Sequence, residues 1–363
     1  MSDSTERPLF RTPVEVGRPL RHVGVGDRSV FLGSCFAEHV GRHFTSAKLL
    51  ALVNPLGVIY NPLSLARLLT TTESLQKRDY ISNKGMWHSW LGDSSLSRLS
   101  EEECRRATDD ALRQLHDALE VADNLFLTFG TDHYYCFTGE HADTKETAEL
   151  PVANCHRLLS RCFIERVATV EEMTEALDAA LIALRERNPN LQVIVTVSPY
   201  RYQKYGFHES QLSKARLLLC ADELVARHPE WVCYFAAYEL VLDELRDYRF
   251  YAEDMLHPSA QAVDYVWRRL CEVWMDDSVR EYLRRWEPLR QALEHRPLHP
   301  ESPEYIAFQQ RTHEQLAQLQ RDYPMMRGDI SQESRVKSRE KRVESQESRV
   351  ERREREKYIR LAE

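Results

Sequence analysis

The most constraining feature of this sequence is a series of five short apolar runs that alternate with longer segments of helical periodicity. The predicted strands are 29–32, 48–53, 125–129, 193–197 and 232–235. The predicted helices are 36–44, 101–122, 170–187, 209–227 and 258–274. Strands that alternate with amphipathic helices are joined by right-handed crossovers. The pattern therefore predicts an α/β fold in which helices cover both faces of a mostly parallel sheet.

Polar residues and glycines follow each of the predicted strands. They are Ser34 after the first, Asn54 and Gly57 after the second, Gly130 and Thr131 after the third, Ser198 and Arg201 after the fourth, and Asp254 and His257 beyond the fifth. The needs of turns would account for any one of these positions. Because parallel sheets bind ligands at the carboxyl ends of their strands, we expect the set to meet at one edge of the sheet.

Composition and charge narrow the class of protein. With 363 residues, 42% of them hydrophobic, the chain can bury one large core or two smaller ones. The net charge of −8 argues against a nucleic-acid partner and favours small-molecule chemistry. A polar N-terminus and the lack of an apolar run of about 18 residues predict a cytoplasmic protein without a membrane partner. Eight scattered cysteines without a CxxC pair are expected to be reduced.

The sequence pattern changes after residue 276. Prolines there punctuate short helical pieces, which predicts a main domain over 1–276 and a helical extension over 277–328. Residues 329–363 form a charged tail that contains a fourteen-residue repeat, with Val336, Val343 and Val350 at every seventh position. One apolar residue per heptad is too few for a coiled coil, so a solvated helix or disorder is expected in the tail. The oligomeric state stays open.

Ser34, His257 and Asp254 have the chemistry of a nucleophile, its base and an orienting acid. A serine hydroxyl attacks a carbonyl when a base removes its proton and a third group holds that base. Asp254 and His257 are three residues apart, so the carboxylate can accept from Nδ1 while Nε2 faces the hydroxyl. Gly33 permits a tight bend before Ser34. The alternative is a structural turn in which Ser34 only caps the following helix.

The same turn predicts where a negative oxygen would be stabilised. The backbone amides of Ser34 and Gly57, with the side-chain amide of Asn54 or Asn154, are the predicted oxyanion donors. Cys35 is an alternative nucleophile. Adjacent residues of a helix point about 100° apart, however, so only one of the two can face the histidine.

Other residues could contact a substrate. Trp87 and His88 could line an acyl or sugar pocket, although aromatic side chains also pack in ordinary cores. Arg201 and Lys214 could bind an anionic group or pair with surface carboxylates. Gly130 and Thr131 complete the predicted substrate-binding set. A further cluster matches no standard zinc spacing, so neither a metal nor a cofactor is predicted. Its members are His133, Cys136, His141, Cys155 and His156.

Eight short motifs, in this order along the chain, resemble those of the GSCFA family. They are FLGSCFAE, NPLGVIYNP, WHSW, LTFGT, VANCH, TVSPYR, SKARLLL and DELRDYRFYAEDMLHPS, spread over roughly residues 10–275. That family is similar to the GDSL/SGNH hydrolases, which implies a three-layer α/β/α sandwich with Ser34 as nucleophile and Asp254 and His257 as the closing pair. The Gly-x-Asn-Asp element of those hydrolases is not literally present. Asn154 is therefore the preferred side-chain donor, with Asn54 as the alternative.

The expected activity is hydrolysis of an acyl ester of a small molecule or carbohydrate by Ser34, His257 and Asp254. An O-acyltransferase would use the same three residues with a hydroxyl acceptor in place of water. A ligand-binding module with a degenerate oxyanion site is the alternative from another class.

Overall fold

The computed structural model describes residues 11–72, 74–138 and 150–327, so the predicted tail over 329–363 lies outside the described residues. The strands are β1 (Ser29–Gly33), β2 (Ala51–Val53), β3 (Tyr80–Asn83), β4 (Met86–Ser89), β5 (Asn124–Phe129), β6 (His133–Phe137), β7 (Leu150–Val152), β8 (Phe163–Val167), β9 (Gln192–Val197) and β10 (Val232–Tyr234). The helices are α1 (Cys35–Ser46), α2 (Pro62–Thr70), α3 (Glu101–Glu120), α4 (Val170–Arg187), α5 (Phe207–Arg227), α6 (Ala237–Glu239), α7 (Ala260–Trp274), α8 (Asp277–Glu294) and α9 (Pro303–Asp322).

Five strands form a parallel sheet in the order β2-β1-β5-β9-β10, which confirms the predicted parallel sheet. These are the five predicted strands, and α1, α3, α4, α5 and α7 are the five predicted helices. The chain moves from β1 to β2 in one direction and from β5 to β9 in the other. Such a reversal creates a crevice beyond the carboxyl ends of the two central strands, here β1 and β5, where open α/β sheets bind ligands.

Helices cover both faces of the sheet, as predicted. Val30 and Leu32 of β1 point into a core cluster shared with α2, α3, α4 and α5. Phe31 points to the opposite face, where its ring stacks 4.4 Å from that of Phe126 and lies 4.7 Å from that of Phe44 on α1. Because both faces are buried, β1 is apolar at every position except Ser29 and Gly33 and does not alternate between polar and apolar residues.

Two small antiparallel sheets and α2 were not predicted. One sheet is the hairpin β3–β4, closed by Lys84 and Gly85 with φ of 50° and 77°. The other has the order β7-β6-β8 and follows β5 directly. Strands of three to five residues with mixed polarity carry too little periodicity to be distinguished from loops.

The chain divides into two compact units, Met1–Pro288 and Leu289–Glu363, with the boundary inside α8. The expected C-terminal helices are present as α8 and α9, while the predicted domain bounds at 276 and 328 stay predictions. In the part of the chain that the structure describes, no helix is long and apolar enough to cross a membrane. All eight cysteines fall within that part and are free thiols.

Gly33 ends β1 in a conformation that only glycine adopts readily. Its φ is 133°, and a Cβ at this position would lie 2.2 Å from the carbonyl oxygen of Thr128. Its amide donates to Asn54 Oδ1 at 3.0 Å, and its carbonyl accepts from the Ile59 amide at 3.0 Å. The turn that presents the next residue, Ser34, therefore has no room for a side chain at position 33.

Gly33→Ala is expected to lower the free energy of unfolding by about 3 kcal/mol, since both φ and the Thr128 carbonyl oppose a Cβ. Urea denaturation followed by circular dichroism measures this loss. The matched control is Gly26→Ala, where a Cβ would meet nothing within 4 Å. Equal midpoints for the two variants would contradict the close approach of β1 and β5.

Candidate active site

Ser34 lies at the turn between β1 and α1. It is the N-cap of α1, and its Oγ accepts a hydrogen bond from the Phe36 amide at 3.3 Å. The residue is only 1% exposed. Capping uses a lone pair of the oxygen, so the hydroxyl hydrogen stays available for donation to a base.

Asp254 and His257 form the predicted pair. His257 Nδ1 and Asp254 Oδ2 are 2.5 Å apart, and Asp254 Oδ1 accepts from the amides of Leu256 and His257, each at 2.9 Å. These hydrogen bonds lower the pKa of Asp254 to about 2, and the bond from the imidazole has the largest effect. The acid is thus ionised at neutral pH and holds the ring through Nδ1. Both side chains are about two-fifths exposed, at 40% for His257 and 42% for Asp254.

The loop that carries the pair is closed by backbone hydrogen bonds. The Ala252 amide donates to the His257 carbonyl at 2.8 Å, and the Ser259 amide donates to the Phe250 carbonyl at 2.8 Å. Met255 has φ of 60°, which tightens the turn. Helix α7 begins at Ala260, two residues later than predicted, because Ser259 is its N-cap.

Arg201 holds this loop from the neighbouring segment after β9. Its amide donates to the Leu256 carbonyl and its Nη1 donates to the Met255 carbonyl, each at 3.1 Å. The guanidinium also lies 4.5 Å from the ring of Phe207 and 5.3 Å from that of Tyr251. Arg201 was predicted to contact substrate. That role stays a prediction, and the contacts in the structure are to the loop of Asp254 and His257.

Tyr200 lies between the two halves of the candidate site. Its ring centroid is 4.3 Å from that of His257. Burial raises the pKa of Tyr200, and the negative charges of Asp254 and of a Cys35 thiolate act in the same direction. Strands β1, β5 and β9 are parallel, Ser34 follows β1, and Arg201 after β9 binds the loop of Asp254 and His257, so Ser34 and this loop lie at the same edge of the sheet. Among the described residues, no hydrogen bond joins Ser34 to His257.

Asn54 offers the clearest free donor beside the serine. Its Oδ1 accepts from the Gly33 amide, whereas its Nδ2 is buried and has no partner among the residues described. The two predicted backbone donors have acceptors: the Gly57 amide donates to the Asn54 carbonyl at 2.8 Å, and the Ser34 amide donates to the Thr128 carbonyl at 3.2 Å. A buried amide without a partner is costly, which marks Asn54 Nδ2 as a group that awaits a ligand.

Asn154 follows β7 in a different environment. Its Oδ1 accepts from the His156 amide at 2.8 Å. Its role as an oxyanion donor stays a prediction, and no described contact links its side chain to Ser34.

Gly130 and Thr131 lie directly beside the serine turn. Both amides donate to the Tyr60 carbonyl, at 2.8 Å and 3.0 Å. A Cβ at Gly130 would lie 3.4 Å from Ser34 Cβ, so the backbone directly after β5 passes close to Ser34. Thr131 is 5% exposed, and its hydroxyl accepts from the His133 amide at 3.1 Å. Their predicted contact with substrate stays a prediction.

Trp87 and His88 lie in β4, where each has structural partners. The backbone of Trp87 exchanges hydrogen bonds with Arg98 at 2.7 Å and 3.1 Å. His88 is 8% exposed, contacts Ser97 Oγ through Nδ1 at 2.6 Å and stacks 4.6 Å from His156. The contacts of the His88 ring are structural and the Trp87 side chain packs, partly buried, against the core. The predicted role of both residues in substrate binding stays a prediction.

Cys35 is a poor competitor for the role of nucleophile. Burial raises the pKa of its thiol, and the nearby charge of Glu38 raises it further. The reactive form of cysteine is the thiolate, so a raised pKa disfavours attack by Cys35. Among residues 11–72, 74–138 and 150–327, no three His, Cys, Asp or Glu side chains converge as metal ligands. His141 lies outside these residues.

The sequence prediction missed three residues of this region. Tyr200 and Tyr60 stand inside motifs that were singled out, SPYR and NPLGVIYNP, but neither was assigned a role. Burial raises the pKa of Tyr60 to about 12. His39 lies near His257: its pKa is lowered by burial, by Arg42 and also by the charge of His257. Both tyrosines follow a predicted strand, and this placement could have indicated a role at the site. Nothing in the sequence distinguishes His39 from a surface histidine.

Comparison with known proteins places the chain in a family. A model described as the GSCFA family matches residues 28–270, and one described as the C-terminal domain of GSCFA domain proteins matches residues 286–338. Curated proteins contain no match. Among solved structures, an acetyl xylan esterase from the rumen bacterium Butyrivibrio proteoclasticus is similar at 12% identity and a TM-score of 0.24. The match covers 42% of this chain and 36% of the esterase.

Arg201→Ala is expected to loosen the loop of Asp254 and His257, because it removes the hydrogen bond to Met255 and the contacts with the aromatic rings. Amide hydrogen exchange in peptides covering residues 250–260 is expected to become about tenfold faster. The control is Arg106→Ala, which removes an arginine that is 68% exposed and pairs with Glu102 on α3. Unchanged exchange in Arg201→Ala would show that the loop keeps its shape without this side chain.

Proposed function

The chain belongs to the GSCFA family, and from this membership and the geometry at the carboxyl edge of the sheet we propose that it is a serine hydrolase that cleaves an acyl ester. The observation that carries the proposal is that the Ser34 turn follows β1 and the Tyr200 segment follows β9 at the same edge of the parallel sheet, with the Tyr200 ring centroid 4.3 Å from that of His257. The similarity between GSCFA motifs and those of GDSL/SGNH hydrolases supports the same reaction class.

His257 is the general base of this proposal. Asp254 occupies Nδ1, which leaves Nε2 as the ring nitrogen that can accept a proton. When Ser34 attacks the ester carbonyl, its proton passes to Nε2, and the negative charge of Asp254 stabilises the imidazolium that forms. The imidazolium then gives the proton to the departing alcohol. Water, activated by the same nitrogen, hydrolyses the acyl-enzyme.

We expect the hydrogen bond between Ser34 and His257 to form when substrate is bound. Catalytic hydrogen bonds often tighten only when substrate is bound, so their length without it does not exclude a base. Ser34 uses a lone pair to cap α1 and keeps its hydrogen for donation. The exposure of His257, at 40%, leaves room for its ring to turn toward the serine.

The oxyanion is stabilised by Asn54 Nδ2 and by the first turn of α1. Asn54 Nδ2 is the unpartnered buried donor next to the turn. The amide of Cys35 is the first of α1, and the first amides of a helix have no acceptor within the helix. Both donors carry a partial positive charge, and α1 adds its dipole in the same direction. Asn54 therefore replaces Asn154 as the donor that we favour.

Ser34→Ala is expected to abolish covalent labelling by a fluorophosphonate probe, because the probe phosphonylates only an activated serine. Labelling is measured by intact mass and by peptide mapping to residue 34. Cys35→Ala is the control and is expected to keep labelling, since it removes the neighbouring thiol and leaves the hydroxyl. Circular dichroism checks both folds, because loss of the cap costs about 1 kcal/mol.

Equal labelling of wild type and Ser34→Ala would refute Ser34 as nucleophile. Labelling together with acyl transfer to an added sugar or polyol hydroxyl, in preference to water, would identify an acyltransferase. Saturable ligand binding that survives Ser34→Ala, with no turnover on a panel of short acyl esters, would identify a binding module.

Asp254→Asn is expected to lower kcat on a short acyl ester by about 100-fold or more with little change in KM, since Asp254 orients the base and does not touch substrate. The measurement is steady-state hydrolysis of p-nitrophenyl acetate. Asp247→Asn is the matched control, an aspartate that is 51% exposed and lies outside the pair. If both variants lower kcat equally, Asp254 has no special role.

A further inference from the structure

Lys214 of α5 is buried although the sequence suggested a surface or anion-binding lysine. The residue is 3% exposed. Its Nζ donates to the Gly130 carbonyl at 2.6 Å. An ammonium group has three donors, and a buried cation normally pairs with an anion. Lys214 instead donates its hydrogen bond to a neutral carbonyl. This arrangement opposes folding, which indicates that the buried lysine has a function.

Gly130 lies between Lys214 and the candidate nucleophile. Its carbonyl accepts from Lys214, and a Cβ on its other side would lie 3.4 Å from Ser34 Cβ. The charge of Lys214 also acts on the thiol of Cys35, the next residue in the turn. The ammonium is therefore separated from the serine by one residue of backbone, within a region from which water is largely excluded.

The charged and titratable groups around Lys214 are few. Burial lowers the pKa of Lys214 to about 7, while Cys35 and Asp132 act in the opposite direction. Asp132 is already paired with Arg216, at 2.5 Å between Oδ2 and Nε. The Cys35 thiolate would act on two partly buried tyrosines, Tyr60 and Tyr202, whose pKa values are both raised by burial. These thiol and phenol groups stay neutral near pH 7, so the lysine is the group of this cluster that changes charge there.

We propose that the positive charge of Lys214 stabilises the negative oxygen that develops during attack by Ser34, and that loss of its proton sets the alkaline limit of the site. The inference rests on the proposed hydrolase function. Below about pH 7 the ammonium is present and stabilises the developing negative oxygen. As pH rises through that value the charge is lost. The loss of a unit charge close to the reacting atoms in a protein interior changes the rate by about tenfold.

A purely structural role for Lys214 is the competing explanation. Ser213, Lys214 and Arg216 all bond the segment that follows β5: the Asp132 amide donates to Ser213 Oγ at 3.2 Å, and Arg216 pairs with Asp132. Loss of one anchor would lower the rate by a constant factor at every pH. Loss of a titrating charge would change the shape of the pH profile.

The test is the rate of fluorophosphonate labelling of the full chain from pH 5.5 to 9.5, in wild type, Lys214→Met and Lys214→Arg. The wild-type rate is expected to rise and then to fall about tenfold on the alkaline side. Lys214→Met is expected to lack the alkaline fall and to remain at the low rate. Lys214→Arg, which keeps its charge, is expected to stay at the high rate to pH 9.5. Lys77→Met, at an exposed position, is the matched control and keeps the wild-type profile.

Alkylation of Cys35 by iodoacetamide gives a second measurement that needs no turnover and can be made on the wild type alone. A cation beside the thiol favours the thiolate, so the pH dependence of alkylation in wild type is expected to show a second inflection near pH 7. In Lys214→Met this inflection is expected to be absent. Peptide mapping separates Cys35 from the other cysteines.

The outcomes separate the two proposals. An alkaline limb that persists in Lys214→Met, merely scaled in rate, overturns the role of Lys214 and leaves the hydrolase intact. A single inflection of Cys35 alkylation in wild type does the same, even if the variants fail to fold. Absence of labelling in wild type at every pH overturns the hydrolase itself. Loss of the limb in Lys214→Met with retention of rate in Lys214→Arg supports the inference.

Discussion

The contact between the Gly33–Ser34 turn and Thr128 is the constraint on which the candidate site depends. The Thr128 carbonyl accepts from the Ser34 amide and leaves no space for a Cβ at Gly33. This approach brings the end of β1 against the end of β5, so that a Cβ at Gly130 would lie 3.4 Å from Ser34 Cβ. It also brings Asn54 to the same point, since Asn54 Oδ1 accepts from the Gly33 amide. A single glycine conformation thus aligns the candidate nucleophile, the Asn54 side chain and the backbone that follows the neighbouring strand.

Polar groups at this edge are arranged at a cost to stability. Asn54 Nδ2 is buried and has no partner among the described residues. Lys214 is buried too, and its amino group donates a hydrogen bond to the Gly130 carbonyl. Burial of such groups opposes folding. Folded proteins keep destabilising groups of this kind mainly at functional sites. The surrounding structure offsets them through a mostly apolar sheet whose two faces are covered by helices, and through a loop after β5 that α5 anchors by three side chains. The acid–base pair, by contrast, lies on an exposed turn that Arg201 and backbone hydrogen bonds hold.

The predictable part of the fold was the part with strong periodicity. Strand β9 is apolar at all but two positions, and α4 has an apolar stripe along one side. Such segments must be buried in any arrangement of the chain, so the local pattern alone predicts whether each is a strand or a helix. The pairing of Asp254 with His257 was predictable for a similar reason, since three residues separate them. Helix α2 and the small strands could not be predicted, because their stability comes from contacts with distant segments and not from their own periodicity.

The sequence by itself determined the parallel sheet, the tight turn at Gly33 and the partnership of Asp254 and His257, because each rests on neighbours along the chain. Only the tertiary structure decided which asparagine has a free amide beside Ser34, that Arg201 supports a loop, and that Lys214 is buried behind Gly130. Those properties depend on burial and on partners from remote segments. A residue's type does not reveal either one, since a lysine on an amphipathic helix faces solvent or core according to what packs against it.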